Sequence, residues 1–540
     1  MRRWYQARRV VILCVVAASS GVGACVTKVW TTKPTSLQVS GASDRDYAVK
    51  SPLRAHLLDG STVVFRSGAT IGKGRIAGMG ESYPLLDDAH MTRRDTVLLA
   101  DVVGVETYEG KVLMAQSITL SLAASAVAAM GTLALLVAIF GSCPTVYADS
   151  GAGPVLQAEG FSYAIAPMLE HRDVDPLNVR PGPDGIIRLE LRNEALETHF
   201  INHVELLAVR HARGAELVPD QGGKPVLVEN QRPLTVARDR AGRDVRDALA
   251  DRDDKLFASA ESTVRAAHAG DLDDWLDVEA DNLPPGDSVA VVLRLRNSLL
   301  NTVLLYDGIL GGRDAPDWLS TGMQRIGTAL ELSRWYVGTM GMHATVDGVP
   351  APALANARAG THARLSDVGP IAFRDVALVL PRSARNARHV RIRLQFVADD
   401  WRIDRAMVGG TLSRPTVARV PLANVIAPTP AAGGPALKDT AALRALGEAD
   451  DQYLETRPGQ RMILQFKPAD ARANSDSTTT YLIAWQGWYR EWLRGSWLAK
   501  PSRTTPWVAG DSAVSTALTT WRSKREHLEH DFYSTRIPVR

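Results

Sequence analysis

The sequence predicts a mainly β protein with added helices, of α+β class, and three observations predict it. Short apolar runs recur along most of the chain, alternating with polar residues and bounded by Gly, Asp and Asn; this is the period-two signature of half-buried strands. A twelve-residue pattern returns at an offset of 104 residues, close to the ~100 residues of an immunoglobulin-like sandwich. Composition is that of a globular chain, with 45% hydrophobic and 22% charged residues and 62 basic against 59 acidic side chains in 540 positions. That near-balance excludes wholesale disorder and nucleic-acid binding driven by bulk charge. The three cysteines, Cys14, Cys25 and Cys143, rule out a disulfide framework and leave almost no room for a cysteine-based zinc site.

The chain opens MRRWYQARR, with four arginines in nine residues, and continues in an uncharged run from Val10 to Ala24. A charged start followed by an apolar stretch too short to span a bilayer comfortably is the layout of a secretory signal. The run closes Val22-Gly23-Ala24-Cys25, which resembles the lipobox of bacterial lipoprotein signal peptides, over residues 1–25 only. The resemblance implies a signal peptide at 1–24, a lipid on the thiol of Cys25 and a tether over 25–49, and so a bacterial cell-envelope lipoprotein.

Residues 50–111 read as a small SH3-like β domain. Leu53 to Leu58 and Thr62 to Phe65 flank an Asp59-Gly60 turn, and Thr96 to Val103 gives a further strand. Glycines at 68, 72, 74, 78 and 80 fall where strands would bend. Gly68 to Gly74 misses the spacing of a phosphate loop and lacks the hydroxyl residue after Lys73 that would hold magnesium.

No charged residue occurs from Val112 to Ala148, and Ser117 to Gly141 is apolar throughout. Those 25 residues would reach about 37 Å as a helix, enough to cross ~30 Å of hydrocarbon, so a transmembrane helix is predicted over 117–141. Export of the chain after Cys25 and arrest at 117–141 would leave the small domain periplasmic and the large body cytoplasmic. An apolar helix of this kind favours the inner membrane over the outer.

From 144 to 425 the chain reads as a β-rich body of two related, tandem sandwich modules. Ile187 to Thr198 (IRLELRNEALET) is echoed by Val291 to Thr302 (VVLRLRNSLLNT). Each copy is an alternating strand, an Arg-Asn corner and a Thr leading into a second apolar run, Phe200 to Val209 or Val303 to Leu310. Alanines and charges over Arg238 to Asp281 suggest surface helices, and Asp314, Pro316 and the Leu319, Met323, Ile326, Leu330 spacing mark another helix. Strands follow at Val376–Leu380, Val390–Val397 and Trp401–Val408. Residues 426–438, rich in Pro and Gly, read as a linker. The remaining 439–540 form a Trp-rich α+β region, with a helix from Thr440 capped by Asp439 and a strand over Arg461–Phe466.

Six of the twelve tryptophans fall in the last hundred residues. Helical spacing would put Trp485, Trp488 and Trp492 on one face, together with Tyr489. Such a face serves as a packing surface, a membrane-interface belt or a stacking platform for a ligand such as a sugar. A strand over Tyr481–Trp485 would void that face.

Chemistry is sparse. Glu194, Glu197, His199 and His203 form the densest ligand-like cluster, but on the expected strand the two histidines stand about 13 Å apart, too far for one metal. His527 and His530 read as an exposed polar helix end. Asp399, Asp400 and Asp404 are the candidates for a carboxylate pair that would hydrolyse glycan or peptidoglycan, although two of them sit in a hairpin turn that selects Asp for local reasons. Gly286-Asp287-Ser288 and Gly510-Asp511-Ser512 lack the strand and helix that a nucleophile elbow needs. No metal and no cofactor is implied. The expected function is a membrane-anchored binding or scaffold protein of the cell envelope, with the membrane and envelope proteins as partners; a membrane-tethered hydrolase is the alternative.

Overall fold

The computed structural model describes residues 46–112 and 144–539 with interruptions, the longest at 312–325, 350–360, 428–436 and 492–506, together with a strand at 28–31. Cys25, the apolar segment 117–141 and Cys143 lie outside the described residues, as do Trp492 and the predicted start of the 314–330 helix. Among the described residues no helix is long and apolar enough to cross a membrane.

The protein is mainly β. Residues 47–107 build two small antiparallel sheets of five and four strands on one shared core of Leu53, Val63, Phe65, Ile76 and Val97. Leu53–Leu57 and Thr62–Phe65 pair as the alternation requires. Thr96–Leu98 ends in a short 3-10 turn before Val102–Thr107 begins. The strand Lys28–Thr31 pairs with Glu109–Val112, Lys28 opposite Val112, so the chain enters and leaves this unit side by side.

In the large body, alternation again decides which face is buried. Ile187–Arg192 points Ile187, Leu189 and Leu191 inward, and Val390–Val397 buries Val390, Ile392, Leu394 and Phe396. Two five-stranded antiparallel sheets pack face to face as a sandwich. One holds Glu216–Pro219, Pro225–Arg232, Trp401–Ser413, Ser288–Asn297 and Arg374–Pro381. The other holds Val236–Asp239, Asp273–Ala280, Val390–Val397, Met342–Val346 and Ala363–Leu365. Their facing side chains, from Ala237 to Val408, form one apolar core.

The second unit is a ten-stranded antiparallel sheet that curls around its own core. Along its path lie Pro154–Glu159, Thr145–Asp149, Ile187–Arg192, Arg461–Phe466, Ala418–Ala427, Glu197–Ala212, Ser477–Glu491 and His171–Leu177. Val146 near one end and Leu177 at the other bury into the same cluster as Trp485 and Trp488.

This order corrects the tandem expectation. The sandwich, residues 216–413, is inserted between Glu197–Ala212 and Ala418–Ala427, two strands that pair with each other. The units are nested, and the chain beyond 439 returns to complete the first sheet. A strand pairs with any edge of matching register whatever its distance in sequence, and local periodicity carries no record of that partner.

Other local expectations meet mixed outcomes. Asp439 caps the helix Thr440–Gly447 by accepting from the amides of Ala441 and Ala442, and Arg461–Phe466 is a strand. Instead of a run of surface helices, the described residues of Arg238–Asp281 hold the strand Asp273–Ala280, a 3-10 turn at Arg246–Ala248 and a short α-helix, Glu261–Ala266. The second apolar run, Val303 to Leu310, is helical up to Ile309, with a short α-helix Leu300–Val303 leading into a π-helical turn over Leu304–Ile309, where the first copy of the repeat continues as the strand Glu197–Ala212. Ser477–Glu491 is one long strand, so Trp485 and Trp488 share no helical face; the pairing with Glu197–Ala212 overrides the helical spacing.

Candidate functional site

The repeated Asn corners are buried fasteners. Asn193 donates from its amide to the carbonyls of Glu197 and Thr456, at 2.9 and 3.1 Å. Asn297 accepts from the amide of Val368 at 2.8 Å, and its own backbone N–H donates to Gly369. The second corner thereby fixes the loop 366–372, which carries Asp367 and Gly369 against the curled sheet.

There the two units meet through buried charge. Glu159, 1% exposed, accepts from the amides of Ile371 and Ala372 at 2.7 and 3.0 Å, while its other carboxyl oxygen has no hydrogen-bond partner. Burial pushes its pKa from 4.5 up to about 8 against those two amides, so at neutral pH the group holds its proton. Gly369 makes the approach feasible: a Cβ there would stand 2.5 Å from the Glu159 carboxyl carbon, and its φ of +96° suits glycine.

Beside it, Arg374 bridges Asp173 at 2.9 Å and Asp175 at 2.6 Å. Asp175 also accepts from Trp485 Nε1 at 3.2 Å, and Asp173 accepts from the amide of Phe161 at 2.7 Å. Burial raises Asp175 to about 6 in spite of the guanidinium. For Asp173 burial works the same way, but Arg374 and His171 outweigh it and hold the carboxyl below its usual value. Arg374, whose burial is outweighed by the two aspartates, is held more firmly protonated than usual.

Two cavities open along this seam. The more polar, about 120 Å³, is lined by His171, Asp173, Asp220, Asp367 and Arg374 among others. The other, about 70 Å³, lies between the Ser162–Leu169 stretch, the π-helical turn, the helix Ile326–Met340 and the end of the Ser477–Glu491 strand. Its polar walls include Asn301, Asp367 and Glu491, the hydroxyl residues Ser162, Thr302 and Ser333, and four tyrosines, Tyr163, Tyr306, Tyr336 and Tyr489; its apolar walls include Ile165, Leu169, Leu305, Ile309 and Leu332. Asp367 accepts from Tyr336 Oη (2.6 Å), Asn301 Nδ2 (2.7 Å) and the amide of Gly369 (2.8 Å), and burial outweighs these bonds to raise its pKa. Glu491 accepts from Tyr306 Oη at 2.7 Å. A π-helical turn widens the helix and frequently marks a functional site; here it presents Leu305, Tyr306 and Ile309 to the cavity.

The residues singled out from sequence lie elsewhere. Asp399 is fully buried and holds Arg402 at 2.9 Å, Trp521 Nε1 at 2.7 Å and Arg525 at 3.3 Å. Asp404 pairs with Arg294 at 2.9 Å and accepts from the amide of Asp253. Asp400 is buried with neither oxygen in hydrogen-bonding geometry, and burial, reinforced by Asp367, raises it well above the usual carboxylate value. None of the three is among the described residues lining either cavity. Trp485 is covered by Phe161, and Trp488 lies flat on Phe200 with ring centres 4.0 Å apart, so neither offers an open face.

The histidine cluster divides as well. His199 sits 3.2 Å from Glu197, His203 contacts the carbonyl of Leu446, and Glu194 binds Thr145, Tyr147 and Arg536. Among the described residues, no group of three or more His, Cys, Asp or Glu side chains is placed to hold a metal ion. Sequence reasoning missed Glu159, Arg374, Asp367, Asn301 and Glu491. One signal was present in Asp173-Val174-Asp175: two acids one residue apart share a strand face, and burial of that face demands an internal cation. No protein-family model and no curated protein matches the chain.

Proposed function

We propose that the protein is a lipid-anchored, membrane-bound component of the bacterial cell envelope whose large body binds a small ligand at the seam between its two β units. The lipid sits on Cys25 and residues 117–141 cross the inner membrane. The small β unit is an SH3-like barrel that meets envelope proteins on the periplasmic side, and the body stands in the cytoplasm. Pairing of Lys28 with Val112 supports the two-anchor reading, because it brings together chain positions three residues after Cys25 and five before Ser117.

The observation that carries the binding role is the cavity of about 70 Å³, walled by both units and the π-helical turn. Concave, mostly apolar sites with a few convergent polar groups at the junction of two units are where small ligands bind. The test is ligand-observed NMR on the full chain in detergent, with a fragment set of cationic, neutral and anionic members. Binders that are lost when Leu305→Trp fills the cavity support the role, and a fragment set with no binder of any charge overturns it. Reporter fusions after residue 105 and at the C-terminus, with Cys25→Ala as the lipidation control, test the placement. A C-terminal reporter active only in the periplasm would overturn the cytoplasmic body.

A further inference from the structure

The seam cavity offers hydrogen bonds without offering unclaimed charge. Asp367 accepts from Tyr336 Oη at 2.6 Å, Asn301 Nδ2 at 2.7 Å and the amide of Gly369 at 2.8 Å, and Arg374 acts on the same carboxyl through space. Glu491 receives the Tyr306 hydroxyl at 2.7 Å. No Lys, Arg or His is among the described residues lining the cavity. An entering carboxylate or phosphate would shed its water without meeting a cation in the wall. An ammonium group would meet carboxyls that the protein's own donors and Arg374 already engage. Burying a charge that gains no counter-charge is costly, so the site favours a neutral guest.

What the wall does present is an acceptor and a set of hydroxyls. Asn301 is 8% exposed; its Nδ2 is committed to Asp367, which fixes the amide orientation, and its Oδ1 has no hydrogen-bond partner. A buried acceptor left without a donor is destabilising, so Oδ1 fits an arriving donor. Ser162, Thr302 and Ser333 place hydroxyls in the same wall, and a hydroxyl donates as well as accepts. A ligand hydroxyl answers both with one heavy atom: its proton goes to Oδ1 and its oxygen accepts from the wall. A carboxamide spends three heavy atoms on the same task. Size makes that difference count, because about 70 Å³ is roughly half of the ~150 Å³ that accommodates benzene. Leu169, Leu305, Ile309 and Leu332 leave an apolar wall for a short tail.

Building on the binding role, we infer that the cavity takes a short-chain primary alcohol. Its hydroxyl donates to Asn301 Oδ1 and accepts from a wall hydroxyl of Ser162, Thr302 or Ser333, and its alkyl chain lies on the leucine and isoleucine wall.

The experiment is ligand-observed NMR titration of the full chain in detergent with four probes that share a chain and differ in the head group: 1-propanol, 1-propanethiol, n-propylammonium and propionate. Only the signal that Leu305→Trp abolishes is counted, which removes uptake by the detergent. Saturable 1-propanol binding at least tenfold tighter than each of the other three is expected, the thiol being a poor hydrogen-bonding copy of the alcohol. Asn301→Ala should shrink the preference for 1-propanol over 1-propanethiol below threefold; should that variant fail to fold, the wild-type ranking decides alone. Any probe within tenfold of 1-propanol, or silence from all four while a fragment binds, would overturn the alcohol assignment and leave the binding role standing. Silence from the four probes and from the charge-mixed fragment set would overturn both.

Discussion

Glu159→Gln isolates the seam carboxyl that burial pushes up to about 8. Its folded-state pKa of about 8 lies above the ordinary 4.5, so the folded protein binds this proton more tightly than the unfolded chain. The contribution to stability is complete below about pH 4.5 and is lost as pH rises through about 8. At ~1.4 kcal/mol per pKa unit, the span amounts to about 5 kcal/mol. Glutamine keeps an acceptor for the amides of Ile371 and Ala372 and removes the ionisation. Urea denaturation of the full chain in detergent from pH 5 to 9, with amide exchange of residues 369–373 as a local readout, gives the comparison. The wild type should lose stability steadily up to about pH 8, and the variant should run flatter by about 4 kcal/mol across the same range. Parallel profiles for the two proteins would refute the reasoning.

Two further substitutions probe how the seam and the curled sheet are fastened. Arg374→Met leaves Asp173 and Asp175 buried without their cation, and a cost of about 3–5 kcal/mol at pH 7 is expected; because protonation removes the uncompensated charge, the deficit measured by denaturation should shrink by pH 4.5. Asn193→Ala strips donors from the carbonyls of Glu197 and Thr456, and about 2–4 kcal/mol should be lost in urea denaturation, whereas a loss below 0.5 kcal/mol, about the size of a surface substitution, would show that the corner is not a fastener.

Elements whose identity rests on local alternation were legible. Arg461–Phe466, Val390–Val397 and the strands around Asp59-Gly60 needed only period-two burial, and the helix from Thr440 needed only its Asp cap. Ser477–Glu491 was misread because Trp485, Trp488 and Tyr489, at helical spacing, also satisfy a strand buried on both faces. The repeat led correctly to the Asn corners, yet its second half diverged: after Asn193 the chain finds strand partners, and after Asn297 it turns helical. The candidate site was scarcely legible, since its residues come from positions 159 to 491. No single window of sequence contains them.

By itself, the sequence determined the β class, the small N-terminal unit, the corner asparagines and the residues that face each core, because side-chain alternation and capping act over a few positions. Only the tertiary structure decided that the sandwich is nested within the curled sheet, and that three buried acids, Glu159, Asp173 and Asp175, and the half-buried Asp367 meet one Arg374 at the seam. The physical reason is range. Strand partners and buried charges are chosen across hundreds of residues by register, shape and desolvation, and a polar residue in sequence looks the same whether it will face water or a cavity.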